Sequence, residues 1–160
     1  MSATARAAAK PIAESVVVLT CVFDAPRALV FRTWIEPRHL AQWWGPRDFT
    51  NPVCELDVRV GGKILIHMRA PDGTVYPMTG TFREIVAPER LVFTAVAEDH
   101  AGRALLEGLV TVTFEEQGGK TKLTVREKAV ALAPVAGPML AGMETGWAQS
   151  LDRLETAVAS

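Results

Sequence analysis

Four tryptophans are many for a chain of 160 residues. Trp34, Trp43 and Trp44 stand close together, and Trp147 lies far downstream. An indole offers a broad apolar face and one N–H donor. Such rings suit a packed aromatic plug or the wall of a pocket for an apolar, even aromatic, molecule. Met68, Met78, Met139 and Met143 add compliant apolar side chains, which serve equally as core or as adaptable pocket walls. The polar candidates inside strand-like segments are few: Arg59, His67, Tyr76 and Glu84. An acid–base reaction would have to draw on these. His67 alternates with Ile66 and Met68, which places it on the wet face. Asp57 and Arg59 stand two apart, the spacing of a structural ion pair. Tyr76 shares the parity of Met78, so its hydroxyl could orient a bound molecule.

Several chemistries find no support. His39, His67 and His100 are scattered, and no CxxC or HxxxH spacing occurs, so neither a metal nor another cofactor is expected. Cys21 and Cys54 have no recognisable histidine partner and read as buried thiols rather than a disulfide. No GxSxG string presents a serine nucleophile. The glycines before Lys63 lack the spacing and the Ser/Thr of a phosphate loop, and no GxGxxG opens a helix. Lys and Arg number 17 against 18 Asp and Glu, for a net charge of −1. That balance, with no basic–aromatic interleaving, excludes the usual nucleic-acid signatures. No apolar run reaches the roughly 18 residues of a membrane span, and the N-terminus has no apolar signal core. A cytoplasmic location is the expectation.

The element that positions these residues is the C-terminal stretch Pro138–Val158. Leu140, Met143, Trp147, Leu151, Leu154 and Val158 recur at three- and four-residue steps and share one helix face. Glu144, Gln149, Asp152, Arg153 and Glu155 fall mostly on the watered side. Pro138 suits the first turn. Gly142 and Gly146 are costly in a helix, at about 1 kcal/mol each relative to Ala. They leave a groove for close packing or for a bound molecule. Upstream, residues 1–14 read as a frayed tail and 15–160 as one domain. Ser15–Phe23 reads as a strand. Asp24 is expected to cap a helix from Pro26 to Ile35, and Pro37 to separate it from a second, Arg38–Trp44.

Six strand signals follow: Pro52–Val60, Lys63–Arg69, Thr74–Val86, Arg90–Ala97, Leu105–Glu115 and Thr121–Lys128. Turn-length links rich in Gly, Pro and Asp join them. Pro77 and Gly80 mark an edge, a bulge or a bend. Ala129–Gly137 is expected to be a linker. Strands joined this way form an antiparallel meander, and its apolar face needs the long helix as cover. The fold class is therefore α+β.

The strings VFDAPRALVFRTWIEPRHLAQWW from Val22, ELDVRVGGK from Glu55, PDG from Pro71, PMTGTFREIVAPERLVFT from Pro77 and GMETGWAQSLDRLE from Gly142 carry a resemblance. The chain resembles the activator of the 90-kDa heat-shock protein ATPase homologue family, within the START-like (SRPBCC) superfamily. The resemblance covers roughly residues 16–158. It implies the helix-grip fold of the birch-pollen allergen: a curved antiparallel sheet of about seven strands, with two short helices after strand 1, wrapped on a long C-terminal helix. It also implies a cavity between sheet and helix, used across the superfamily for lipids and other apolar molecules.

The expected function is the binding of a small hydrophobic ligand, lipid-like or aromatic. Its expected walls are Trp34, Trp44, Tyr76, Met78, Phe82, Phe93, Val110, Val112, Met139, Met143 and Trp147. Two alternatives stand beside it: a cyclase- or hydrolase-like enzyme on the same scaffold, and a co-chaperone-like stimulator of a heat-shock ATPase. A homodimer is compatible with the chain. Nucleic-acid binding and membrane insertion are not expected.

Overall fold

Period-2 segments pair into a single antiparallel sheet in the computed structural model, which describes residues 11–159. The strands are β1 (Ala13–Phe23), β2 (Thr50–Leu56), β3 (Lys63–Arg69), β4 (Val75–Val86), β5 (Arg90–Glu98), β6 (Ala104–Gln117) and β7 (Lys120–Ala131). Their order in the sheet is β1-β7-β6-β5-β4-β3-β2. Every link from β2 to β7 is a hairpin, and β1 closes on β7. Helices α1 (Arg27–Ile35) and α2 (Pro37–Trp43) follow β1. A short 3-10 turn, Pro134–Ala136, leads to α3 (Gly137–Ala141) and α4 (Met143–Ala159). This is the α+β helix-grip arrangement.

Register defines the concave face as rows of opposed residues. One row runs Leu19, Val125, Val112, Leu91; the next runs Val17, Glu127, Val110, Phe93, Phe82. These rows are filled with large side chains, and α1 lays Val30, Phe31 and Trp34 into the core they form. From α4, Trp147, Leu151 and Leu154 are buried, as the helical stripe requires. The rows beyond change character. Ser15, Ala129, Gly108 and Ala95 form one, and Ala13, Ala131, Leu106, Ala97 and Met78 form the next. Small side chains there leave space under the helix.

Several boundaries differ from the sequence expectation. β1 begins at Ala13, inside the stretch expected to fray, because Ala13 and Glu14 lie opposite Ala131 and Val130. Residues 1–10 of that stretch lie outside the described residues. β2 stops at Leu56, and Val58 and Val60 are exposed. The chain turns there because the Gly61 N–H donates to the Phe82 carbonyl and the Phe82 N–H to the Gly62 carbonyl. A Cβ on Gly62 would collide with the Asp57 carbonyl, so the turn depends on glycine. β4 is an interior strand. Within it, the Thr81 N–H donates to the Thr94 hydroxyl at 2.9 Å. Its register shifts only after Phe82, so Met78 and Phe82 keep the same face. Asp24 does not cap α1; the N-cap is Pro26, with no side-chain bond. β7 takes in Ala129–Ala131 of the expected linker. The single rod expected from Pro138 to Val158 is two helices, broken at Gly142, whose N–H donates to the Pro138 carbonyl.

Candidate functional site

The small rows of the sheet, α4 and the loop after α2 enclose a cleft of about 650 Å³. Each wall follows from a local feature of the chain. β5 and β6 present Ala95, Ala97 and Leu106 where the neighbouring row carries Phe93 and Val110. The β3–β4 hairpin contributes Met68, Tyr76, Pro77 and Met78. Met139, Gly142, Met143, Gly146 and Trp147 come from α3 and α4, and Gly45, Pro46 and Phe49 from the loop. The two helix glycines border the cleft, so the groove they leave is open space rather than a seat for a strand. A Cβ added at Gly142 would meet only backbone carbonyls of α3, and one at Gly146 would come no nearer than 4.0 Å to the Pro46 ring.

Hydrogen bonds fix the loop rim. Ser150 donates to the Gly45 carbonyl at 2.9 Å. Arg153 Nη1 donates to the carbonyls of Trp44, Gly45 and Pro46, and Nη2 to that of Gln42. A guanidinium carries several donors in one plane, which suits a cluster of carbonyls at a helix C-terminus. Aromatic rings line the interior. Trp44 and Trp147 meet edge to face at 5.5 Å, and Phe49 and Tyr76 lie 6.2 Å apart.

One carboxyl reaches this apolar interior. Glu127 lies on the concave face between Val17 and Val110 and is only 6% exposed. Trp147 Nε1 donates to its Oε1 at 2.7 Å. Burial raises its pKa above the usual carboxylate value, and the tryptophan bond offsets that in part. A Cβ on Gly108 would collide with the carboxyl, so that glycine makes its place. Among the described residues, no Lys, Arg or His lines the cleft.

Of the walls expected from the sequence, Trp44, Tyr76, Met78, Met139, Met143 and Trp147 border the cleft. Trp34, Phe82 and Phe93 do not. They line a separate void of about 10 Å³, which Trp44 and Met78 also touch. Val110 and Val112 are fully buried and line neither space. Both point inward as expected, but they are packed into the core rather than facing the hollow. Trp34 and Trp43 do form a plug: Trp34 lies 4.5 Å from Trp43 and stacks on Trp147 at 6.0 Å.

The remaining candidates lie elsewhere. His67 pairs with Val53 and Pro77 on the face opposite to Ile66 and Met68. Arg59 and Asp57 form an exposed ion pair at 2.8 Å in a turn. Glu84 pairs with Arg90 across the β4–β5 hairpin at 3.0 Å. Cys21 and Cys54 are free and half-buried, and burial pushes the Cys54 thiol up to about 11. Among the described residues, no cluster of three or more His, Cys, Asp or Glu is placed to hold a metal ion. None of the described helices is long and apolar enough to cross a membrane.

Besides the walls Pro46, Phe49, Ala95, Ala97 and Leu106, the sequence reading did not single out Glu127. Its signal is nonetheless in the chain: Thr121, Leu123, Val125, Glu127, Ala129 and Ala131 alternate on one face, and only one of them is charged.

Comparison with solved structures confirms the architecture. An uncharacterised protein from Rhizobium leguminosarum is 26% identical, with 92% of this chain and 95% of that one covered and a TM-score of 0.79. The AHSA1-like protein from Aeromonas hydrophila is 28% identical over 91% of this chain and 92% of its own, with a TM-score of 0.68. The AHSA1 protein from Silicibacter pomeroyi is 24% identical, with 91% and 98% covered and a TM-score of 0.72. No curated protein gives a significant match. The model of the family described as activator of Hsp90 ATPase homolog 1-like protein matches residues 24–159, nearly the whole described chain, and the protein belongs to that family.

Proposed function

We propose that the protein binds a small, largely apolar molecule in the cleft between α4 and the sheet. One observation carries this reading: the concave face is lined with small residues where the helix crosses it, leaving about 650 Å³ with few polar groups. Ligand sites commonly enclose roughly 300–1,000 Å³ with apolar walls and a few placed polar atoms. Emptying that much space in a core costs dispersion contacts, so an occupant that restores them gains affinity. The family name denotes relatedness and does not carry an activity to this chain. The catalytic alternative needs an acid and a base converging on one point. Among the described residues, Glu127 has the Trp147 N–H as its hydrogen-bond partner, which does not exchange a proton in the neutral range.

Trp44 and Trp147 border the cleft, so occupancy changes their emission. The test is fluorescence titration with apolar probes, together with native mass spectrometry of protein purified from its source cells. The expected result is saturable quenching and a co-purifying mass of a few hundred daltons, in the range that roughly 300–1,000 Å³ can hold. A flat titration with every probe and a bare protein mass would overturn the reading.

A further inference from the structure

We propose that the occupant of the cleft is a hydrophobic amine, an apolar molecule whose single basic nitrogen sits on Glu127. This rests on the reading of the cleft as a ligand site and names the class of molecule it takes.

Glu127 is more than nine-tenths buried and lines the cleft. Its Oε1 accepts from Trp147, and its Oε2 accepts no hydrogen bond from any described residue. The elements packed around it present Val17 from β1, Val110 and Gly108 from β6 and Trp147 from α4. None of these titrates, and among the described residues no cationic side chain lines the cleft. A buried carboxyl with no cation is expensive, and the chain gives up a side chain at Gly108 to admit it. Among the described residues none supplies a cation to it, and an ammonium brought by a bound molecule would be such a partner.

The aromatic lining selects among possible donors. Trp44, Trp147, Tyr76 and Phe49 ring the same space. Ring faces attract a cation and do nothing comparable for a neutral hydroxyl or carbonyl. An ammonium N–H on a carboxylate forms a charge-assisted bond about twice as strong as a neutral one. A carboxyl and aromatic faces together are thus matched to an ammonium, while a second carboxylate is repelled. The unoccupied site holds its proton on Glu127, because burial disfavours the charge. A protonated amine that enters displaces this proton to water, and no other atom changes bonds. Binding then tightens as pH rises through the titration of Glu127 and weakens again near the pKa of the amine.

A matched trio tests this: 4-phenylbutylamine, 4-phenylbutanol and 4-phenylbutanoate, titrated by tryptophan fluorescence across that pH range. The amine is expected to bind about tenfold or more tighter than the alcohol, which is the scale of one desolvated charge-assisted bond. E127Q is expected to bring the amine down to the affinity of the alcohol in the same variant and to remove the pH dependence. Should E127Q fold poorly, the pH profile of the unaltered protein decides in its place: an amine affinity that does not rise with pH counts against the proposal. Equal binding of alcohol and amine, or an amine preference that survives E127Q, overturns the proposal and leaves the cleft as a ligand site. Failure of all three to bind overturns the proposal, while the cleft as a ligand site stands or falls on the wider probe panel and the co-purifying mass.

Discussion

At the scale of single residues, Glu127 and Gly108 form one unit. The carboxyl occupies the place of the absent Gly108 side chain and is held by Trp147. Placing a methyl group there forces the carboxyl off the tryptophan. G108A should therefore cost about 1–3 kcal/mol, the usual penalty of overpacking. In an E127A background the same change should be nearly neutral, because the colliding group is gone. Urea unfolding of the four-member cycle measures that coupling. The pH dependence of stability follows from the same carboxyl. Unfolded, it titrates near 4.5, and burial raises its pKa in the fold. Above 4.5 the unfolded chain loses this proton first. The folded state then binds more protons, so stability falls as pH rises until the folded group also ionises. E127Q removes that slope. The variant should gain on the parent as pH rises from 4.5, and unfolding midpoints across that range would show the widening gap. A gap that stays constant would mean that Glu127 is not desolvated as described.

At the scale of elements, α4 does more than cover the sheet. Arg153 looks like a surface residue in sequence, one of the charges off the apolar stripe. In the fold it is half-buried and ties α4 to four carbonyls around the end of α2. Three of them, on Trp44, Gly45 and Pro46, belong to residues that line the cleft. R153M keeps the stem and removes the donors. It should cost about 1.5–3 kcal/mol, since hydrogen bonds to charged groups lie in that range each and water replaces some of them. The loop at Gly45–Pro46 should exchange its amides faster in the variant, which hydrogen exchange would detect. Periodicity made the elements legible: the strand order and the helical stripe of Trp147, Leu151 and Leu154 follow from steps of two, three and four. It did not show the break at Gly142, because an interrupted helix keeps the same spacing. Nor did it show that β7 extends through Ala129–Ala131, since alanine favours helix over strand and pairing with β1 and β6 overrides that preference. Face was legible and depth was not. Val110 and Val112 point inward as expected, but whether an inward residue meets α1 or the hollow depends on helix placement that the chain does not spell out locally.

At the scale of the whole molecule, the sheet is divided across its width. The rows through Leu91 and Phe93 are filled by α1 and the tryptophans, apart from a void of about 10 Å³. The rows through Ala95 and Ala97 are left open beneath α3 and α4. The open half forgoes packing that a different sequence would make, which is the pattern of stability traded for a binding space. A97L should expose that trade. Leucine there projects into the cleft from the centre of the sheet, where strand backbone on both sides holds it in place. Cavity-filling changes of this kind commonly add about 0.5–2 kcal/mol. The variant should therefore melt at or above the temperature of the parent. An apolar ligand at about 100 times its Kd adds roughly 2.7 kcal/mol to the parent. For a chain of this size each 1 kcal/mol raises Tm by about 2–4 °C. Scanning calorimetry should thus find a ligand-dependent rise in the parent and little or none in A97L. If A97L instead melts lower and still responds to ligand, the hollow lies elsewhere and the division of the sheet has no bearing on binding.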